Sequence, residues 1–252
     1  MKYLFVMANY PDWRQAFFDN YISPHNKAYC KKWGYEYLEI NDATPYRGNH
    51  TWNKFKIPLD MIIDKVLVDG DTLTHIDADM AISMDHDLSF DKDFTYAIDS
   101  CNTHCMGFYS IKINDWTSSL LSNILSDKRY QVLKDKKSIG SMNEYSSFWE
   151  IFREQASWYS LAGIKRHSWT PFFDLPNYGW HSSLNGYTLY DLDELHEHVG
   201  VLPVEYNVTH IPEEDGEDKF YMNPCNVKPI IRHFAGGRKW RKEYYENSLY
   251  TE

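Results

Sequence analysis

Hydrophobic and polar residues recur along the first third of the chain with alternating strand and helix periods. A buried strand is predicted over residues 3–7, and residues 35–40 alternate as a second strand does. Between them, helical patterns cover residues 13–21 and about 24–33, where Gly34 is a typical helix stop. A third helix is predicted over 52–67, with Pro58 in its first turns or at a kink. A buried strand within residues 73–82 follows, and it ends in an Asp77-Ala78-Asp79 turn.

This β-α-β-α-β order predicts a mainly parallel sheet with right-handed crossovers, flanked by helices. Further strands are predicted over residues 94–98 and 106–113, and helical patterns dominate from Trp116 through Ala162. With 252 residues, 43% of them hydrophobic, the chain can bury one large core. We therefore expect a single-domain α/β fold.

The composition of the chain argues against several classes of protein. No apolar run approaches the length of a transmembrane helix, and the N-terminal residues lack a signal-peptide pattern. The four cysteines are scattered without the spacing of zinc ligands, so reduced thiols are expected, and the Asn207-Val-Thr209 sequon has no expected role. A formal net charge of −10 argues against binding duplex nucleic acid over the whole surface.

The strand within residues 73–82 ends in two aspartates, Asp77 and Asp79. Side chains of an extended segment repeat with period two, so both carboxylates are expected to point the same way. Two acids converging at the carboxyl edge of a parallel sheet favour a divalent cation that holds nucleotide phosphates. The alternative is an ordinary acidic turn. An EF-hand interpretation fails because the sixth position of residues 77–87 is not glycine.

A second motif near the C-terminus is His233-x-x-Gly236-x-x-Lys239-Trp240. Its imidazole can supply a third metal ligand, its glycines allow backbone N–H groups to approach a phosphate, and its lysine can neutralise that phosphate. The alternative is a core histidine beside an ordinary Gly-Gly turn.

Three further segments do not indicate a function when each is considered alone. In Trp52-Asn-Lys54 the lysine either contacts a phosphate or donor sugar, or lies on a solvated helix face. The segment with Met106-Gly107 is a polar turn entering a strand, and Glu154-Gln155 lies in a helical pattern.

Taken together, the order of these motifs resembles the retaining glycosyltransferases of the GT-A fold, a Rossmann-like α/β architecture. The likeness is to the group with yeast α-galactosyl- and mannosyltransferases and xyloglucan xylosyltransferases, and to the group with bacterial lipopolysaccharide galactosyltransferases and glycogenin. It covers roughly residues 1–115, 145–165 and 198–240. Two departures are Cys105, where relatives often have asparagine, and the absence of a proline between Lys239 and Trp240.

The resemblance implies roles for individual residues. Asp77, Asp79 and His233 are implied as ligands of Mn²⁺ or Mg²⁺, and Glu154 or Gln155 is implied to face the anomeric carbon. The residues implied to bind the nucleotide sugar are Ala8, Asn9, Tyr10, Lys54, Ile76, Asp77, Gly236 and Lys239. Residues 1–110 would form the nucleotide-sugar half, and 111–252 the acceptor half with the C-terminal metal and diphosphate motif.

The expected activity is metal-dependent, retaining transfer of a sugar from a UDP-sugar to an acceptor hydroxyl, in a bacterial or phage-infected cytoplasm. Retention would follow either a front-face displacement guided by the leaving phosphate or a glycosyl-enzyme intermediate. The acceptor is left open between a glycan, a lipid-linked sugar, a protein and a modified DNA base. Residues 112–167 hold nine Lys and Arg against six Asp and Glu, which suits a polyanion such as phage DNA carrying hydroxymethylated cytosine. Aromatic residues that could receive a flipped base are Trp149, Trp158 and Trp169.

Two alternatives belong to other classes. One is a nucleotide-sugar-binding module without transfer activity, which the complete metal and phosphate motifs argue against. The other is a nucleotidyltransferase, which would need a glycine-rich loop after the first strand, and Ala8-Asn-Tyr-Pro11 does not provide one.

Overall fold

The computed structural model describes residues 1–8, 13–99, 104–126, 154–155, 157–158, 161–162, 189–209 and 228–234. The strands are β1 Lys2–Met7, β2 Glu36–Ile40, β3 Thr72–Asp77, β4 Met80–Ile82, β5 Phe94–Ile98, β6 His104–Lys112, β7 Val199–Leu202, β8 Val208–Thr209 and β9 Ile231–His233. The α-helices are α1 Trp13–Phe17, α2 Ser23–Trp33, α3 Asn53–Ile63, α4 Asp115–Leu125 and α5 Leu192–His198.

Six strands form the main sheet in the order β2-β1-β3-β6-β5-β7. Only β6 runs opposite to the other five, so the expected mainly parallel sheet is confirmed. The carboxyl ends of the first three strands meet, because Met7 pairs with both Ile40 and Asp77. The antiparallel β6 brings its first residues to this same edge, where Phe108 pairs with Ile76.

Residues 73–82 belong to two strands in different sheets. β3 ends at Asp77, Ala78 and Asp79 form a turn, and β4 begins at Met80 in a three-stranded sheet ordered β4-β9-β8. Met80 pairs with His233, and the backbone N–H of Phe234 donates to the carbonyl of Asp79. The predicted end of the strand at the two aspartates is confirmed. Residues 80–82 form a further strand because the second sheet offers them a different set of partners.

Both faces of β1 are buried, which explains its nearly continuous apolar sequence. Tyr3 and Phe5 face a core formed with α3 and α4, whereas Leu4 and Val6 face a second core formed with α2 and β4. Helix α2 ends, as predicted, at Gly34, whose φ of 73° is left-handed. Helix α3 contains Pro58 and ends at Ile63, four residues before the predicted end.

No helix among the described residues is long and apolar enough to cross a membrane.

Candidate functional site

Three potential metal ligands converge at the carboxyl edge of β1 and β3. One ligand atom each from Asp77, Asp79 and His233 lies within 4.8 Å of the others. Asp77 is the last residue of β3, Asp79 lies in the turn to β4, and His233 is the last residue of β9. The pairing of β4 with β9 places the His233 Nε2 3.4 Å from the Asp79 Oδ1. Two carboxylates and one imidazole form a donor set that fits Mn²⁺ or Mg²⁺.

Lys54 provides a positive charge between two of the acids. Its Nζ lies 2.8 Å from the Asp77 Oδ1 and 3.7 Å from the Glu154 Oε1. Burial alone would lower the pKa of Lys54, but the two carboxylates raise it above its ordinary value. Burial would likewise raise the pKa of Asp77, but Lys54 holds it well below its usual range. Asp77 is therefore an ionised carboxylate at neutral pH.

A buried histidine supports the same carboxylate from within the sheet. The His75 Nε2 lies 3.3 Å from the Asp77 Oδ1, and its ring packs between Phe5 and Tyr109. Burial lowers the pKa of His75, so the neutral ring donates its Nε2–H to the carboxylate. Because His75 and Asp77 lie two residues apart on one strand, they occupy the same face of the sheet.

Gly107 lies directly behind Asp77. A Cβ at this position would approach the Asp77 Oδ2 to 2.9 Å and the Met80 Cε to 2.8 Å. Any larger residue would therefore push against the carboxylate. The glycine allows β6 to pass close to the site.

His233 is held on its second ring nitrogen by Asn207. The His233 Nδ1 lies 2.9 Å from the Asn207 Oδ1, and Asn207 is fully buried. Burial alone would lower the pKa of His233, but the nearby Asp79 and Asp77 carboxylates raise it. In the absence of a metal, the imidazole is therefore held by an acid on one side and an amide on the other.

The two residues implied to face the anomeric carbon have different environments. Glu154 lies beside Lys54, and burial raises its pKa. The side-chain oxygen of Gln155 accepts a hydrogen bond from the backbone N–H of Met106, with an N–O distance of 3.1 Å. Glu154 thus faces the charged cluster, whereas Gln155 joins its helical segment to β6.

The structure describes only some of the residues that are implied to bind the nucleotide sugar. Ala8 follows β1 at the correct edge, with its N–H donating to the Ile40 carbonyl, but it is buried, and Ile76 lies entirely in the core. Side-chain contact of Ile76 with a nucleotide is therefore not available in this structure. The remaining residues lie outside the described part of the chain: Asn9, Tyr10, Gly236 and Lys239.

The residues predicted to recognise DNA fall largely outside the described ranges, including Trp149, Trp169 and all charged residues of 127–153. Trp158 is described and is fully buried, with ring-centroid distances of 5.0 Å to Phe94 and 5.8 Å to Tyr96. This core position does not suit a residue that receives a flipped base.

No protein-family model matches the sequence, and no curated protein matches it. The structure is similar to a glycosyltransferase involved in glycosylation of the major capsid of PBCV-1, with a TM-score of 0.47 and 8% identity over 97% of this chain and 99% of that chain. It is also similar to the glycosyltransferase GlyE of Streptococcus pneumoniae TIGR4, with a TM-score of 0.46 and 14% identity, covering 99% of this chain and 60% of GlyE.

A third similar structure is a mutant of Drosophila β1,4-galactosyltransferase 7 in complex with manganese, UDP-Gal and xylobiose. Its TM-score is 0.31 and its identity 11%, over 62% of this chain and 63% of that chain.

Proposed function

We propose that this protein is a metal-dependent glycosyltransferase that moves a sugar from a UDP-sugar to an acceptor hydroxyl with retention of anomeric configuration. The observation that carries the proposal is the convergence of Asp77, Asp79 and His233 at the carboxyl edge of the sheet. Ligands of α/β sheets bind at this edge. The order of the motifs along the chain, from the Asp-x-Asp turn to the C-terminal histidine, supports the sugar-transfer assignment.

Asp77, Asp79 and His233 would hold Mn²⁺ or Mg²⁺, with the imidazole favouring Mn²⁺. When bound, the ion supplies positive charge to the diphosphate oxygens of the donor, on which negative charge grows as the glycosidic bond breaks. Lys54 keeps Asp77 ionised, and it can add its own charge at the donor phosphates.

In the transfer step, the bond between the anomeric carbon and the diphosphate oxygen breaks, and its electron pair stays with UDP. The acceptor oxygen bonds to the anomeric carbon on the same face and passes its proton to a diphosphate oxygen of the leaving group. Glu154 is the proposed residue beside the anomeric carbon, because its carboxyl lies next to Lys54 at the site. A carboxylate there would stabilise the positive charge that develops on the sugar ring.

The candidate from another class is a module that binds nucleotide sugars without transferring them. Its support is the Lys54–Asp77 ion pair, which already neutralises part of the acidic cluster without a metal. The two candidates differ in one measurable property. A transferase breaks the donor's glycosidic bond, at least slowly with water as acceptor, and a binding module does not.

The test measures UDP release from a panel of UDP-hexoses and UDP-pentoses with Mn²⁺ and with EDTA. We expect Mn²⁺-dependent release, reduced by at least ~10²-fold in Asp79→Asn, a loss typical of removing one preorganised electrostatic contact. The matched control is Asp93→Asn, which alters an aspartate–histidine pair with His198 at a distance of 2.5 Å elsewhere in the fold. Release that persists in EDTA or in Asp79→Asn would contradict the proposal. Donor binding without release would favour the binding module.

A further inference from the structure

We infer that Asn207 is a positioning residue that fixes the ring orientation and tautomer of His233, so that the Nε2 is available to a cation. The inference rests on the proposed metal site. It gives a role to an asparagine whose sequence context, Asn207-Val-Thr209, suggested only a sequon without a role.

The backbone places Asn207 beside His233. Asn207 lies between a 3-10 turn, Val204–Tyr206, and strand β8, and its N–H donates to the Val204 carbonyl. Strand β8 runs parallel to β9, with Thr209 opposite His233. The asparagine side chain therefore reaches the histidine from the residue that precedes the neighbouring strand, and the Oδ1–Nδ1 distance is 2.9 Å.

The contact selects one tautomer because a carbonyl oxygen can only accept a hydrogen bond. The His233 Nδ1 must then carry the hydrogen, and in the neutral ring the Nε2 keeps its lone pair. That nitrogen faces the Asp79 Oδ1 at 3.4 Å, on the side where Asp77 and Asp79 converge. A ring of the other tautomer would donate Nε2–H to Asp79 and could not bind a cation through that atom.

The two ends of the Asn207 amide have different environments, and this difference allows a specific test of the contact with His233. Asn207 Nδ2 is buried without a hydrogen-bond partner among the described residues, so the carbonyl end provides the side chain's contact with the ring. An aspartate has the same shape and only acceptor atoms, so Asn207→Asp preserves the contact. Asn207→Leu has the same branched arrangement of side-chain heavy atoms and removes the contact. If the amide were reversed, with Nδ2 donating to Nδ1, the aspartate would not preserve that contact.

The experiment titrates the purified protein with MnCl2 alone and follows the loss of the free Mn²⁺ EPR signal. We expect Asn207→Leu to weaken Mn²⁺ binding by about 10- to 100-fold, as loss of a partner behind a metal-ligating histidine does. Asn207→Asp should bind within about threefold of the wild type, as expected when the accepting atom is retained. The control Asn123→Leu removes an amide that bonds the Tyr190 hydroxyl in another part of the fold, and it should leave binding unchanged.

Three results of this titration would overturn the inference. They are wild-type affinity in Asn207→Leu, equal weakening in Asn207→Asp and Asn207→Leu, and equal weakening in the Asn123→Leu control. If His233→Ala loses Mn²⁺ while Asn207→Leu retains it, the metal site stands and only the role of Asn207 fails. If the wild type neither binds Mn²⁺ nor releases UDP, the proposed function fails as well.

A second measurement needs no variant at position 207. In the ¹⁵N spectrum of the Cd²⁺-loaded wild type, with His233 assigned by its loss in His233→Gln, the hydrogen should reside on Nδ1 and the metal on Nε2. A hydrogen on Nε2 would overturn the inference even if Asn207→Leu did not fold.

Discussion

Two carboxylates illustrate the difference between a structural and a functional charge cluster. Asp87 accepts hydrogen bonds from Lys2, Tyr35 and Ser89 at 2.8 to 2.9 Å, so both of its oxygens are satisfied. Asp77 is contacted by Lys54 and His75 on Oδ1 alone, and its Oδ2 has no hydrogen bond among the described residues. The first cluster is complete without a ligand, whereas the second leaves an acceptor atom available to one.

The balance of positive and negative charge also differs between the Asp87 cluster and the Asp77 cluster. Asp87 has one lysine to itself, at the first residue of β1. Lys54 is shared by Asp77 and Glu154, and Asp79 lies next to them with His233. Acids that converge in a buried place are costly without compensating positive charge. The excess of acids at Asp77 is therefore the physical reason to expect a cation there and not at Asp87.

The largest difference between the two clusters is expected when the lysine of each, Lys54 or Lys2, is replaced and the free energy of unfolding is measured. Lys54→Met leaves buried acids without their partner and should lower the free energy of unfolding in EDTA by about 3 kcal/mol, as in other broken buried pairs. Mn²⁺ should restore much of this loss. Lys2→Met should cost less than about 1 kcal/mol because that pair is more exposed, and Mn²⁺ should not change it. Urea unfolding measures both variants, and equal losses would contradict the distinction.

A smaller effect is expected from crowding Asp77. Gly107→Ala places a methyl group 2.9 Å from the Asp77 Oδ2, so the carboxylate must move. A displaced ligand should weaken Mn²⁺ binding and UDP release by about tenfold, at the low end of what supporting contacts contribute. In Gly200→Ala the nearest atom would be the Thr95 Oγ1 at 3.1 Å, away from the acids, so metal binding should be unchanged. Unchanged Mn²⁺ affinity in Gly107→Ala would show that Asp77 does not bind the ion.

The smallest effect is in the pH dependence of stability. Burial would lower the pKa of His233, but Asp79 raises it above 6.5. Its contribution in EDTA is therefore full below about pH 6.5 and lost as pH rises through the folded-state pKa. Burial would raise the pKa of Asp87, but Lys2 and two hydroxyls lower it below 3.8. That contribution is present above about pH 3.8 and lost as pH falls through the folded-state pKa.

Unfolding free energies of His233→Gln and Asp87→Asn, each subtracted from the wild type over the pH range, should therefore change in opposite windows. A flat difference for His233→Gln from about pH 6 to pH 10 would mean that no raised histidine pKa exists at the site.

The sequence predicted most of the sheet because local signals and tertiary packing agree there. β1 is apolar on both faces, and Gly34 supplies the left-handed residue that ends α2. The end of β3 at the two aspartates was predicted, but the separate strand β4 was not, because residues 80–82 continue the apolar pattern of the strand before them. Their pairing with β9 depends on residues far away in the chain.

The site was predicted in part. Asp77, Asp79 and His233 were expected to share one site, and the structure brings them together. His75 was overlooked, although period two along the strand places it on the same face as Asp77. The roles of Gly107 and Asn207 could not have been found from sequence, since they depend on the approach of β6 to Asp77 and the pairing of β8 with β9.

The most direct test of the central claim is calorimetric titration of the metal-free protein with Mn²⁺, beside two matched histidine variants. His233→Ala removes a proposed ligand that lies 3.4 Å from Asp79, and His198→Ala removes the histidine that pairs with Asp93. We predict saturable binding by the wild type and by His198→Ala, and a loss of more than about tenfold in affinity for His233→Ala. Equal affinity in all three proteins, or no binding by any of them, would contradict a metal site at Asp77, Asp79 and His233.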